Sequence, residues 1–138
     1  MMNTIQIALS GLNAASNAAN VAASNIANVT TTGALDPKNG PAPYQPETSV
    51  NTAQTGPDGQ GLGVSATTVP TGRPAVPTFD PNSPDANADG LVGSPDIDLG
   101  EQIVNLQVAS TVYKANAKVA QVSSQMDQDL LNMVDQKV

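Results

Sequence analysis

The chain has 138 residues, a net charge of −7, five Lys and Arg in all, and neither Cys nor His. That excludes disulfides, thiolate and imidazole metal sites, and catalysis built on Cys or His; the few scattered cations also argue against binding phosphate backbones or anionic lipid. With no Trp, one Phe and two Tyr, a single domain of this size has little large apolar surface to bury, and association with other chains is the simplest way to bury enough.

The first charged residue is Asp36. Within the neutral stretch before it, Ile5, Leu9, Leu12, Ser16, Ala19, Ala23 and Ile26 recur at alternating spacings of four and three. This predicts a helix over residues 3–28 with the seam of a coiled coil. Small residues in mid-seam permit a partner to come close. The rest of the surface is Asn, Ser, Gln and Ala, and such a neutral face suits a helix enclosed by other chains, because ionised groups are far costlier to bury than amides. An ordinary amphipathic helix folded on its own domain is the plainer alternative. The helix is expected to end near Asn28. Asn25 and Asn28 read as local caps, and Asn28 and Gly33 as residues able to adopt the left-handed conformation that closes helices. The stretch has neither the positive start nor the continuous apolar run of a cleavable secretory signal, and no segment is long and apolar enough for a membrane span.

All eleven Pro residues fall between Pro37 and Pro95, so no long helix fits there. Alternation predicts short strands at 44–52 and 63–69, joined by turn chemistry at 55–61. The expectation is a small β-hairpin among extended loops, with unbroken disorder as the competing reading. Residues 85–96 also match a single EF-hand-like calcium loop, with Asp85, Asn87, Asp89 and Asp96 at positions 1, 3, 5 and 12. Asp at position 12 reaches less far than the usual Glu, and Pro95 stiffens the approach. A polar turn that caps the next helix explains the same residues. Paired carboxylates are the only acid–base chemistry left, and they lack aromatic neighbours to form a substrate pocket, so no enzyme and no cofactor are expected.

A long C-terminal helix is predicted from Asp98, the N-cap, to about Met133, with Glu101 reaching back as the partner of a capping box. Leu99, Ile103, Leu106, Ser110, Tyr113, Ala117, Ala120 and Ser124 keep the same three-and-four spacing. A second line, Val112, Val119 and Met126, lies beside it. A helix of roughly 50 Å exceeds what so thin a domain can cover. The chain therefore divides into an N-terminal helical part (1–33), a Pro/Gly-rich insert (34–97) and a C-terminal helix (98–138). The expected fold is mainly α, with the two helices packed as a coiled-coil-like pair.

Two segments carry a resemblance. Ser24-Asn-Ile-Ala-Asn-Val29, followed by Thr32-Gly33, resembles the N-terminal signature of bacterial flagellar rod and hook proteins. Glu101 to Asn116, with Tyr113 and Asn116 three residues apart on the helix, resembles their C-terminal signature. Phe79 to Val92, followed by Pro95-Asp96-Ile97, is similar to a segment of the short, proximal-rod members of that family. The resemblance implies a structural subunit that leaves the cell unfolded through the flagellar type III export machinery, without a cleavable signal. It implies assembly with copies of itself and other rod proteins in the basal body, without membrane insertion or nucleic acid. The residues expected to make that assembly interface are Ile5, Leu9, Leu12, Ala19, Ala23, Ile26 and Asn28 on the first helix. On the second they are Ile103, Leu106, Tyr113, Asn116, Val119 and Met126, with Asn116 hydrogen-bonding between helices. A calcium-dependent binding module at 85–96 is the alternative.

Overall fold

The computed structural model describes residues 2–36, 38 and 40–135; Lys137, one of the five cations, lies outside them. Two long helices, α1 (Met2–Ala27) and α2 (Leu99–Asp135), flank four strands, β1 (Glu47–Thr55), β2 (Gly61–Pro70), β3 (Val76–Phe79) and β4 (Leu91–Ser94). The strands form two antiparallel two-stranded sheets, β1–β2 and β3–β4. The mainly helical fold with a small β insert is as expected, while β3 and β4 were not foreseen.

The helices run antiparallel. Asn25 bonds to Gln102, and Gly11 faces Asn116, so an advance along α1 is matched by an equal retreat along α2. The contact line on α1 is Ala8, Gly11, Ala15, Ala18, Ala22 and Asn25, with Ala8, Ala15, Ala22 and Asn25 buried. On α2 the matching line is Gln102, Ala109, Asn116 and Ser123, one residue per seven, all buried except the half-buried Asn116. The two helices do pair, along a line of small residues rather than along the larger side chains expected at the assembly interface. Within the chain, Ile5, Leu9 and Leu12 do not pack into a seam with Ile103, Leu106 and Tyr113. Both stripes on α1 have three-and-four spacing, so periodicity could not choose between them. The Ala/Gly line takes the contact because it lets the backbones approach closely, and the larger side chains stay outside.

At this register the start of α1 lies beside residues near 125 of α2. The last turns of α2 run past it, and Leu130, Leu131, Met133 and Val134 are exposed.

The helix ends are set locally. Asp98 Oδ1 accepts from the Glu101 N–H at 3.1 Å, as the N-cap reading requires. The return half of the box is missing, because the Glu101 carboxylate lies 3.8 Å from the Arg73 guanidinium. At the end of α1, Asn28 Nδ2 donates to the Ser24 carbonyl at 2.9 Å, beside the 3.1 Å bond from its own backbone N–H. No left-handed residue closes the helix: positive φ occurs only at Gly59, Gly63, Gly72 and Gly90 among the described residues. Gly33 serves another purpose. It exchanges backbone hydrogen bonds with Gly93 at 3.0 and 2.8 Å, pinning the chain that leaves α1 to β4. A Cβ at Gly33 would sit 2.5 Å from the Pro41 carbonyl oxygen, so no larger residue fits there.

β1 and β2 pair in register from Glu47↔Pro70 to Ala53↔Val64, with a shift at Gln54/Thr55 before the turn. β3 carries Pro77, tolerated because the strand lies at a sheet edge. β4 contributes Val92, the largest fully buried apolar side chain.

Candidate assembly surface

Asn25 joins three parts of the fold. Its side chain is 1% exposed, and both of its polar atoms are fully used. Nδ2 donates to the Glu47 carbonyl at 2.8 Å and to Gln102 Oε1 at 3.0 Å. Oδ1 accepts from the Glu47 N–H and from the Tyr44 hydroxyl, each at 3.0 Å. The amide therefore binds β1 as a neighbouring strand would, through one N–H and one C=O, while also reaching α2. Asn25 is not the local cap that the sequence indicated. The available signal was its position, three residues beyond Ala22 on the Ala/Gly line, where an unpaired amide would be costly. Tyr44 and Gln102 were missed with it.

The β1–β2 hairpin lies along α1. Asn17 Nδ2 donates to Thr68 Oγ1 at 3.1 Å. Ser10 Oγ accepts from the Val64 N–H at 3.1 Å and donates to the Ile7 carbonyl at 2.7 Å. Gly63, with φ of 106°, lies against Ser10 where any Cβ would collide.

These contacts fix which way the expected interface residues point. A helix turns about 100° per residue, so Leu12 and Ala19, two places beyond Ser10 and Asn17, face away from the hairpin. Ile5, Leu9, Ala23 and Ile26 fall on the same flank, with Leu9 54% exposed. On α2, Ile103, Leu106 and Tyr113 lie across the helix from Val108, whose side borders the hairpin-side groove. All three are exposed. Because the helices are antiparallel, the two flanks adjoin on one face opposite the hairpin. Val119 and Met126 are also exposed, but they continue the Val112 line at seven-residue spacing on the hairpin side. They do not share a face with Ile103 and Tyr113. Asn116 donates to the Val112 carbonyl of its own helix at 2.9 Å, so its hydrogen bond is not interhelical. Asn28 acts as the local cap described above.

The calcium-loop residues do not converge. Asn87 Oδ1 accepts from the N–H groups of Asp89 and Leu91 at 3.0 and 2.9 Å, folding the turn before β4. Asp96 lies beyond β4, 3.9 Å from Arg73. Among the described residues no cluster of three or more acidic, His or Cys side chains could hold a metal. No helix among them is long and apolar enough to cross a membrane.

On the hairpin side, a groove of about 720 Å³ opens between β1 and α2. Ala14, Ala15 and Ala18 form its floor, Thr48, Ser49 and Asn51 one wall, and Val108 and Val112 the other.

A helix pair closed on small residues, with its larger apolar side chains left on an outer face, is built as a structural subunit completed by neighbours. The comparisons agree. A family model described as flagella basal body rod protein matches residues 5–34, which cover most of α1 and run on through Gly33. The flagellar basal-body rod protein FlgC of Salmonella typhimurium is 34% identical over 122 residues, spanning 86% of this chain and 87% of the relative. FlgC of Yersinia enterocolitica is 36% identical over 123 residues, with the same shares covered. The chain belongs to the flagellar basal-body rod protein family.

Proposed function

We propose that this chain is a structural subunit of the bacterial flagellar basal-body rod, FlgC-like and proximal, whose outer helical face is completed by neighbouring rod subunits. One observation carries the reading: the exposed Leu9 and the half-buried Ile5, Leu12 and Ile26 lie to one side of the Ala/Gly line, on the same face as the exposed Ile103, Leu106 and Tyr113. Partly and fully exposed large apolar side chains gathered on one face of a thin core are the mark of an interface. The terminal helices (1–33 and 98–138) make the contacts, and the insert (34–97) braces them. Head-to-tail contacts of this kind propagate into a tube when they do not close into a ring.

Passage unfolded through the flagellar type III export machinery is part of the proposal. A chain without Cys cannot be trapped by disulfides on the way, and a core mostly of Ala, with Val21, Val92 and one Asn-centred network, is small enough to open. The test is deletion of the gene followed by electron microscopy of basal bodies. Rods that stop short, and lengthen again when the chain is resupplied, support the proposal; complete rods without it would refute it.

A further inference from the structure

The outer edge of β1 is an open sheet edge facing the groove. In an antiparallel pair, alternate residues direct both backbone groups toward the partner strand, and the residues between direct theirs outward. Glu47 is an outward residue, because its N–H and C=O both bind the Asn25 side chain. Val64, opposite Ala53, is outward on β2, since its N–H binds Ser10. The two assignments agree, and they make Ser49, Asn51 and Ala53 the next outward positions of β1. Among the described residues the backbone groups of these three have no partner.

Two further observations point to a missing strand. Ser49 Oγ is buried without a hydrogen-bond partner, and Ser49 lines the groove. From Thr48 to Thr55 the strand has no charge and no Pro, the devices that usually keep an exposed edge from pairing.

From this geometry we infer that β1 is a strand-addition site, at which an extended segment of a neighbouring rod subunit continues the ladder that the Asn25 amide begins. The inference rests on the rod reading only for the identity of the neighbour. The site also sets the chemistry of the segment. Side chains facing α1 would rest on the floor of Ala14, Ala15 and Ala18, which leaves them room. A helix would leave the edge groups unpaired. At the Asn25 end the groove is bordered by Glu47, Asp96 and Glu101. Arg73 lies within ion-pair distance of the last two, and Glu47 has no such partner among the described residues. The segment therefore carries a basic residue at that end and is otherwise neutral.

The test is Asn51→Pro against Asn51→Ala. Proline removes only an N–H that the β1–β2 ladder does not use, and edge strands accept it at such positions. The expected result is an unchanged melting curve for both purified variants, and loss of swimming with short rods for N51P well beyond any effect of N51A. Wild-type swimming by N51P would overturn the inference. If loss of the whole chain still stopped rod growth, the rod reading would stand without it. Should N51P fail to fold, hydrogen exchange of the unmodified protein decides. The amides of Ser49, Asn51 and Ala53 are expected to exchange at least roughly 100-fold more slowly in purified basal bodies than in the free chain. Equal rates in both would likewise overturn the inference.

Discussion

Gly11 and Asn116 set how closely the two helices approach. A Cβ at Gly11 would stand 2.5 Å from Asn116 Oδ1 and 2.7 Å from its Cγ, while Asn116 Nδ2 is held on the Val112 carbonyl. Alanine at this position gains about 1 kcal/mol of helix propensity, but it forces Asn116 out of place, and overpacking of this kind costs roughly 1–3 kcal/mol. The expected outcome for Gly11→Ala is a net loss of about 1 kcal/mol in urea unfolding. The same substitution made on an Asn116→Ala background should stabilise. Independent, additive effects in that double-mutant cycle would show that the two residues do not share a contact.

Asn25 is the second determinant. Asn25→Ala leaves the Glu47 N–H and C=O without their partner and strands Gln102 and Tyr44. With about 1 kcal/mol for each net hydrogen bond and more for a buried unsatisfied group, the loss should be roughly 3 kcal/mol. Asn25→Asp is nearly the same size, yet it should fare no better. It retains the acceptor but turns a charged oxygen toward the Glu47 carbonyl and Gln102 Oε1 in a buried site. Thermal melts of the two variants, set beside wild type, check the order.

The ion pairs of Arg73 with Asp96 and Glu101 contribute little. Their separations are 3.9 and 3.8 Å, and all three side chains are about half exposed. Solvent screens such pairs, and the usual worth is below about 1 kcal/mol. Arg73→Ala should shift the unfolding midpoint hardly at all, and its effect should not change between low and high salt.

Calcium should not act on this chain. Asn87 already spends its side-chain oxygen on two backbone N–H groups, and Asp96 lies with Arg73. Addition of millimolar calcium is expected to leave the melting curve and the amide protection of residues 85–96 unchanged. A stabilising shift would restore the loop as a binding site.

The helices and the first hairpin were legible because each has a strong local signal. Three-and-four spacing marks the helices, Asp98 the start of α2, and Gly and Pro the turn between β1 and β2. The second hairpin was not legible, since β3 and β4 are four residues each, too short for alternation to show, and β3 contains Pro77. The choice of packed face also escaped the sequence. Leu9 and Leu12 look more like a core than Ala8, Gly11 and Ala15 do. Close approach of two backbones is decided by what is absent from a side chain, and hydrophobicity does not report it. Asn25 and Gly33 carried the family resemblance, but their roles depend on Glu47 and Gly93, residues far off in sequence.

That division between an inner Ala/Gly line and an outer Ile/Leu face is the centre of the account, and Leu12→Asp and Leu106→Asp test it most directly. Each places a charge on the face reserved for neighbours, where burial would leave it unpaired. The decisive measurement sets the melting curve of each purified variant beside swimming and rod length in cells that carry it. The account predicts a protein that stays folded, with a loss within about 1 kcal/mol for the exposed Leu106 and a larger one for the half-buried Leu12, together with no swimming and no rod beyond the point of entry. Normal swimming with either variant, or unfolding of the isolated chain, would contradict it.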